Sequence, residues 1–378
     1  MAFNFDTVID FGGGDSVKWN KYAGRDILPL WVADMDFAAP PAVVEALHRR
    51  VDRGTFGYGG PWPSLVDSVL RHLDDEYGWH IEPDWIVWLP GLVTGLNVAC
   101  RAVEGAVFTA TPIYPPFLSA PALSGRDLAI APLVRHEMRW SWDLSATEAA
   151  IAVSKARLFL LCHPHNPVGR VWSDDELQDI AALAERHDMV VCSDEIHCGL
   201  VLEGCHRPFA MVSEQAAARS ITLMAPSKTF NVPGLGCAFA IIPESGLRRD
   251  FCRAMSGIVP HANVLGLAAC EAAYRLGGPW RRALIEYLRA NRARVLRAVA
   301  EMPGLATTPV EATYLAWIET TGIDHPARFF EAGGVGLSDG RDFGRGDEYA
   351  RFVRLNFGCP RTTLDRALER MAQALAGL

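Results

Sequence analysis

Residues 156–197, "ARLFLLCHPHNPVGRVWSDDELQDIAALAERHDMVVCSDEIH", contain the clearest structural pattern in this chain. The pattern begins with an apolar run, 156–166, which is typical of a buried strand followed by a turn. An amphipathic helix is then predicted at 173–187, where Ser173 is the N-cap and Glu176 completes a capping box. A second apolar strand closes the stretch. Strand, helix and strand in this order are typical of a βαβ unit, so the stretch predicts an α/β fold with a mostly parallel sheet.

The rest of the chain extends this pattern and then departs from it. The second strand of the quoted stretch lies at 188–197. We expect further strands of the same sheet at 220–228 and 236–243. After about residue 265 the pattern changes to mixed helices and short strands. Here we expect a long Arg-rich helix at 278–302, strands at 313–319 and 352–358, and a helix at 362–377. This change predicts a second, smaller α+β domain.

Composition and charge place the chain among ordinary soluble globular proteins. It has 378 residues, of which 50% are hydrophobic and 21% charged, and its net charge is −8. No run of Lys and Arg is present, so nucleic acid is not an expected partner. No signal peptide and no apolar run long enough for a membrane span is apparent. The nine cysteines form no CxxC pair, which favours free thiols in the cytoplasm and no metal site.

Three polar residues follow the predicted strands at their carboxyl ends, namely Asn166, Asp194 and Lys228. The carboxyl ends of parallel strands meet at one edge of a sheet, where α/β proteins bind ligands. Each residue also has a simpler interpretation: an Asn-Pro turn, a helix N-cap, and a lysine that reaches solvent. The three together, each at a strand end, favour a binding site in a crevice.

These residues lie in motifs that resemble a known family. "HNPVGR" (165–170), "SDEIH" (193–197) and "SKTFNVPGL" (227–235) resemble the signature of fold-type-I pyridoxal-phosphate (PLP) enzymes of the aminotransferase class I/II superfamily. Within that group the sequence resembles the cystathionine β-lyase, or carbon–sulfur lyase, branch. The motifs of that branch are "LPLWVADMDFAAPP" (28–41), "TFGYGG" (55–60), "PGLVTGLNVA" (90–99), "TPIYPPF" (111–117) and "FVRLNFGCPR" (352–361).

The resemblance implies an architecture. It is that of the PLP-dependent transferase-like fold, with a mostly parallel seven-stranded sheet in a large domain and a smaller α+β C-terminal domain. We expect an N-terminal arm at 1–40 that joins the small domain, a large PLP-binding domain at 41–270 and the small domain at 271–378. The resemblance also implies a homodimer with a shared active site.

The resemblance further assigns roles around the PLP ring. Lys228 would form the Schiff base with PLP and then move the substrate's Cα proton. Such an amine must have a lowered pKa, which an apolar strand end would provide. Asp194 would hold a proton on the pyridine nitrogen, and Asn166 would donate a hydrogen bond to the ring's 3-oxygen. Tyr114 would stack on the ring, although it could instead be a turn aromatic before two prolines. His197 also belongs to the expected cofactor site.

A second group of residues would bind the phosphate and the substrate. The backbone of Leu92 and Val93, at a helix start, would bind the phosphate. Its other contacts would be the Ser227 hydroxyl and, from the second subunit, Tyr58. Arg354 would bind the substrate α-carboxylate through its guanidinium fork, unless it is a surface arginine on an edge strand. The substrate pocket would also be lined by Trp31 and Ala33.

Departures from related aminotransferases favour a lyase. His197 stands where aminotransferases usually have a tyrosine, and Gly236 stands where many have a phosphate-binding arginine. These two departures favour a lyase, whereas a third, the shorter loop at 100–114, bears on substrate identity and not on the choice between the two reactions. We therefore expect α,β-elimination from cystathionine or another cysteine S-conjugate to give a thiol, pyruvate and ammonia. The alternatives are an aminotransferase, a specialised biosynthetic PLP enzyme, such as one that couples decarboxylation to deamination, and a PLP-binding regulator without turnover.

Overall fold

The strands and helices are taken from a computed structural model that describes residues 3–377. The strands are β1 (Leu28–Pro29), β2 (Ile86–Leu89), β3 (Ala106–Thr111), β4 (Leu128–Pro132), β5 (Val134–His136), β6 (Arg139–Ser141), β7 (Ala156–Cys162), β8 (Val190–Asp194), β9 (Ser220–Met224), β10 (Ala238–Ile241), β11 (Leu305–Thr307), β12 (Leu315–Thr320), β13 (Val335–Gly336), β14 (Ser338–Asp339) and β15 (Phe352–Asn356). The α-helices are α1 (Val17–Asn20), α2 (Pro41–Val51), α3 (Pro63–Tyr77), α4 (Leu92–Ala102), α5 (Pro115–Leu123), α6 (Leu144–Ser154), α7 (Asp174–Arg186), α8 (Glu214–Ala218), α9 (Ser245–Met255), α10 (Val264–Leu276), α11 (Gly278–Glu301), α12 (Pro326–Ala332) and α13 (Arg361–Ala376).

The largest sheet confirms the predicted fold class. Within residues 3–377 it has seven strands in the order β2-β10-β9-β8-β7-β3-β4. The strands from β9 to β4 are parallel, and only β10 runs antiparallel, both to β9 and to β2. Every residue of β9 is buried, as expected for a strand covered by helices on both faces. The carboxyl ends of β7, β8 and β9 therefore lie side by side at one edge.

The sequence pattern at 173–187 produces the expected helix. In α7 the Ser173 hydroxyl accepts a hydrogen bond from the Glu176 amide at 3.3 Å, and the Glu176 carboxylate accepts one from the Ser173 amide at 2.8 Å. This capping box satisfies two amides that the helix itself leaves without partners. The helix begins immediately after the predicted N-cap.

The C-terminal part forms a separate antiparallel sheet, in the order β11-β12-β15-β14. Helices α11 and α13 contribute apolar residues to the core that covers this sheet. Asn291, which is buried in α11, donates hydrogen bonds to the carbonyls of Phe357 (3.0 Å) and Cys359 (2.9 Å). These bonds fix the chain immediately after β15, the strand that carries Arg354.

The N-terminal arm also packs against this C-terminal part. β1 pairs in parallel with β13, with Leu28 opposite Val335. We propose on this basis the three-part division into arm, large domain and small domain. The expected boundary at 270 falls inside α10, so we place it at Gly277, between α10 and α11. No helix within residues 3–377 combines the length and apolar character that crossing a membrane requires.

Candidate active site

The three polar residues predicted at strand ends line one pocket of about 180 Å³. Asp194 is the last residue of β8, Asn166 lies four residues after the end of β7, and Lys228 lies four residues after the end of β9. Tyr114, at the start of α5, lines the same pocket. The parallel register of the three strands brings these side chains together, because it places their carboxyl ends at one edge.

Lys228 is held in surroundings that favour its neutral amine. Its Nζ donates a hydrogen bond to the carbonyl of Ala33, from the N-terminal part of the chain. Burial lowers the pKa of Lys228 to about 8, and the positive charge of Arg354 adds to this effect, whereas Asp34 and Asp194 oppose it. An amine with this pKa is neutral in roughly a tenth of the molecules at pH 7, far more than an ordinary lysine, and the neutral form is the one that acts as nucleophile and base.

Asp194 forms the floor of the pocket. One carboxylate oxygen, Oδ1, accepts a hydrogen bond from the Ile196 amide at 3.1 Å. Burial, with a smaller contribution from the nearby Glu195, raises the pKa of Asp194 to about 7, against the opposing effects of the Ile196 amide and of Lys228. A cationic N–H group placed beside Asp194 would restore the ionised carboxylate, because an opposite charge favours the charged form. The pocket therefore offers an acceptor for a protonated ring nitrogen.

Arg354 reaches the same site from β15. Its Nη1 donates to Asn166 Oδ1 at 3.0 Å, and its Nη2 donates to the Trp31 carbonyl at 2.9 Å and to Ser338 Oγ at 3.3 Å. The guanidinium lies 4.8 Å from the centre of the Phe343 ring. Among the described residues, the buried Nε has no hydrogen-bond partner. A buried donor without a partner is costly, so this N–H is available to a ligand in the pocket.

His197 and Tyr114 are neutral groups of the site. Burial, together with the charges of Lys228 and Arg354, lowers the pKa of His197 to about 3. Burial raises the pKa of Tyr114, so its hydroxyl stays protonated. The His197 ring lies 6.1 Å from the ring of Tyr314.

The opposite end of the pocket is suited to an anion. Helix α4 begins there at Leu92, and its N-cap, Gly91, provides no side-chain hydrogen bond. Leu92 and Val93 line the pocket together with Ser227. Helix N-terminal amides and a hydroxyl are suitable donors for a phosphate.

Gly236 is required by the shape of this end of the pocket. Its φ is +57°, and a Cβ at this position would lie 3.0 Å from the Pro90 carbonyl oxygen. A larger residue would therefore strain the backbone and press on the turn that precedes α4. The residues present fit PLP: an amine, a carboxylate floor, an amide beside the ring position and a helix start for the phosphate.

Three further predicted residues lie in different surroundings. Ala33 lines the pocket, and its carbonyl accepts the hydrogen bond from Lys228. The indole of Trp31 donates to the Lys18 carbonyl at 3.1 Å, so Trp31 contacts Arg354 through its backbone. Tyr58 is fully exposed, and its contact with the phosphate of a second subunit stays a prediction.

The sequence analysis missed the side chains that hold residues 31–37, which we call the N-terminal segment. They are Lys18, Asn231, Tyr314, Ser338 and Asn356. Asn231 bonds the Met35 amide (3.0 Å), the Met35 carbonyl (2.9 Å) and the Phe37 carbonyl (2.7 Å). It does so from a left-handed backbone conformation, with φ +54°. Asn231 lies three residues after Lys228 in the motif at 227–235, and this position was the sequence signal that could have identified it.

A larger cleft of about 500 Å³ lies elsewhere, between α3 and α11. It is lined mostly by charged and polar side chains, among them Arg71, Asp75 and Arg281, and contains none of the predicted site residues. The smaller pocket is the candidate active site, because the amine, the carboxylate and the helix start converge there.

Similarity to known proteins extends over nearly the whole chain. The family model described as aminotransferase class I and II matches residues 25–371. The chain is 37% identical to cystathionine beta-lyase PatB of Bacillus subtilis (strain 168), over 99% of this chain and 100% of PatB. The crystal structure of OvoB shares 49% identity, covers 100% of both chains and has a TM-score of 0.96. Cystalysin from Treponema denticola, whose crystal structure contains PLP, shares 32% identity, covers 100% of both chains and has a TM-score of 0.95.

The chain therefore belongs to the aminotransferase class I and II family. It is a PLP-dependent enzyme, and within the family it belongs with the carbon–sulfur lyases. The predicted resemblance, fold and cofactor are confirmed.

Proposed function

We propose that this lyase cleaves cystathionine or another cysteine S-conjugate by α,β-elimination, and releases a thiol, pyruvate and ammonia. The observation that carries the proposal is that Lys228 and Arg354 both donate hydrogen bonds to the N-terminal segment. Lys228 donates to the Ala33 carbonyl and Arg354 to the Trp31 carbonyl, two residues away. An amine that acts as a base and a guanidinium that binds a carboxylate are thus close enough to hold the same amino acid.

Each residue of the site has a separate role in the proposed reaction. Arg354 binds the α-carboxylate through its unpartnered Nε–H and through Nη2, which turns from the Trp31 carbonyl to the substrate. PLP, when bound, supplies an electron sink for the negative charge that develops at Cα. Asp194 holds the proton on the ring nitrogen, and the amide of Asn166 donates to the ring's 3-oxygen. Lys228 takes the Cα proton, the C–S bond breaks and the thiolate leaves with the bonding electron pair. Water then hydrolyses the released 2-aminoacrylate to pyruvate and ammonia.

Transamination is the second candidate reaction, because the named family includes aminotransferases and the same residues would serve both reactions. Gly236 supports elimination, since the phosphate end of the pocket has no arginine at this position. The PatB relative, which carries the name cystathionine beta-lyase, supports it further. Transamination would return the amino group to a 2-oxo acid rather than release it as ammonia.

Product analysis tests the proposal. Purified enzyme is incubated with L-cystathionine and with a panel of S-alkyl and S-aryl cysteines, and pyruvate, thiol and ammonia are measured. We expect equal amounts of the three products, and their loss in Lys228→Ala. Lys155→Gly is the matched control, because Lys155 is an exposed lysine whose φ of +54° glycine adopts freely. If no conjugate yields pyruvate, the proposal is wrong, and a new 2-oxo acid with pyridoxamine phosphate would favour transamination.

We further propose that the enzyme is a homodimer in which Tyr58 completes the partner's phosphate site. Support comes from the exposure of Tyr58, a large side chain that contacts solvent along its whole length. Complementation tests this idea with two inactive variants, Lys228→Ala and Tyr58→Ala. In a hybrid dimer one site keeps both native residues, so random mixing should restore about a quarter of the wild-type activity. If mixing restores nothing although hybrids form, the active site is not shared.

A further inference from the structure

The chain uses lysine sparingly, and three of its four lysines lie at the N-terminal segment. Of the 36 Lys and Arg residues only four are lysines, at positions 18, 21, 155 and 228. Lys18 and Lys228 donate hydrogen bonds to carbonyls of the segment. Lys21 places its ammonium 4.4 Å from the centre of the Trp31 ring. Because arginine meets the general need of this chain for surface charge, a lysine at position 21 requires a specific explanation.

Lys21 is an exposed cation that is held in a fixed place. It follows directly after α1, and its ammonium also lies 5.2 Å from the centre of the Tyr22 ring. The negative faces of the two aromatic rings attract the ammonium. Within residues 3–377 no carboxylate lies at ion-pair distance from it. The Lys21 ammonium is therefore available to an anion that approaches from solvent.

Trp31 connects Lys21 to the substrate site. Its carbonyl accepts hydrogen bonds from Arg354 Nη2 at 2.9 Å and from Ser338 Oγ at 2.7 Å. Its indole N–H donates to the Lys18 carbonyl at 3.1 Å. The backbone and the ring of Trp31 are therefore both fixed. A single residue thus separates the guanidinium that binds the α-carboxylate from a second cation.

An exposed carboxylate, that of Asp342, lies near the same two cations. The next residue, Phe343, packs its ring 4.8 Å from the Arg354 guanidinium. The Phe343 carbonyl accepts a hydrogen bond from the Ile113 amide at 2.8 Å, which fixes the position of this short helix. Partial burial and a neighbouring carboxylate raise the pKa of Asp342, and the charges of Lys21 and Arg354 oppose this rise. The rim of the substrate site therefore carries one exposed cation and one exposed carboxylate.

We propose that Lys21 and Asp342 bind the charged end of the substrate's thiol half, so that the preferred substrates are cysteine conjugates whose thiol is itself an amino acid. Lys21 binds the distal carboxylate and Asp342 the distal ammonium, while Arg354 holds the α-carboxylate. This inference rests on the proposed elimination and adds the class of leaving group. Since both distal charges are present before and after the C–S bond breaks, these contacts act on substrate binding rather than on bond cleavage.

A panel of four substrates for the PLP-bound enzyme tests the inference. L-cystathionine carries both distal charges, S-carboxyethyl-L-cysteine only the carboxylate, S-aminoethyl-L-cysteine only the ammonium, and S-propyl-L-cysteine neither. Pyruvate formation gives kcat and KM, and kcat/KM of each charged conjugate is divided by that of the propyl conjugate. Lys21→Met should lower this ratio about fivefold for the carboxyethyl conjugate, which is the size of one exposed ion pair. Asp342→Asn should lower it about fivefold for the aminoethyl conjugate, and both changes should appear in KM.

Two variants serve as matched controls. Lys155→Gly and Asp179→Asn each remove one charge of the same kind from exposed positions next to α6 and on α7, and should leave every ratio at its wild-type value. A further measurement needs no variant. The wild-type ratios for the charged conjugates should fall toward one as the ionic strength rises, because salt screens exposed charges. Ratios above one that do not respond to salt would overturn the inference.

A purely structural role would give a different result. If Lys21→Met and Asp342→Asn lower kcat/KM equally for all four conjugates, or keep wild-type ratios although their melting temperatures show that they fold, the inference is overturned. Cleavage of the propyl conjugate by the wild type at the same kcat/KM as the charged conjugates would overturn this inference alone. If the wild-type enzyme forms pyruvate from none of the four, the proposed elimination fails, and the inference falls with it.

Discussion

Replacing Arg354 gives the sharpest test of the substrate site. The guanidinium has five N–H donors, and its contacts to Asn166, Trp31 and Ser338 use three of them. The parallel pair that matches the two oxygens of a carboxylate is the buried, unpartnered Nε–H together with an Nη2–H that leaves the Trp31 carbonyl when substrate binds. We expect Arg354→Ala to lose both bonds to the substrate.

The size of the loss follows from these two bonds. A hydrogen bond to a charged group contributes about 1.5–3 kcal/mol, so two contribute about 3–6 kcal/mol. Since about 1.4 kcal/mol is a factor of ten, kcat/KM for a cysteine conjugate should fall about 10²- to 10⁴-fold. Arg354→Lys keeps the charge but not the planar fork, so its loss should be smaller, about 10- to 100-fold.

The assay measures thiol release against substrate concentration, together with the absorption of bound PLP to show that the cofactor is still in place. The binding of L-alanine and of ethylamine, which lacks the carboxylate, is titrated in parallel. Arg354→Ala should weaken alanine binding and leave ethylamine binding nearly unchanged. Arg297→Ala, on the exposed surface of α11, is the matched control and should behave as the wild type. An equal loss for both ligands in Arg354→Ala would refute carboxylate recognition by Arg354.

Three other predictions concern the cofactor site and the scaffold. Gly236→Ala forces a side chain into a backbone with φ +57° and against the Pro90 carbonyl, at a cost of about 1–3 kcal/mol. PLP titration should therefore show weaker binding to this variant, and a wild-type affinity for PLP would contradict the expected strain. In the cofactor-free enzyme, the rate of PLP recombination should rise with pH and level off above the Lys228 pKa of about 8, because the neutral amine is the form that reacts. Stopped-flow measurements test this, and a rate that continues to rise toward pH 10 would show that Lys228 has the pKa of an ordinary lysine. Ser173→Ala removes the capping bond of α7, so urea unfolding should show a loss of about 1 kcal/mol with kcat unchanged; an unchanged midpoint would mean that the cap does not contribute.

The large domain was predictable because its signals are local. The strand and helix pattern at 156–197 and the capping box at Ser173 depend on residues close in sequence, and both are present in the structure. The antiparallel direction of β10 also had a local signal. The link from β9 to β10 has no α-helix, whereas the crossover between neighbouring parallel strands is usually helical.

The N-terminal segment was not predictable in the same way, since its partners are distant in sequence. Lys228 lies 195 residues from Ala33, and Arg354 lies 323 residues from Trp31. No periodicity or propensity reports contacts at such separations. The motif that contains Trp31 indicated that the segment is important. That the segment accepts hydrogen bonds from both Lys228 and Arg354 is visible only in the folded chain.

The same segment shows how the site tolerates the loss of these bonds during reaction. Lys228 must leave the Ala33 carbonyl when it reacts, but that carbonyl also accepts a hydrogen bond from the Tyr314 hydroxyl at 2.9 Å. The Trp31 carbonyl likewise accepts from Ser338 Oγ at 2.7 Å as well as from Arg354. Each carbonyl therefore keeps a donor when a cation turns to the substrate. Because no buried carbonyl is left without a partner, the segment need not move as the reaction proceeds.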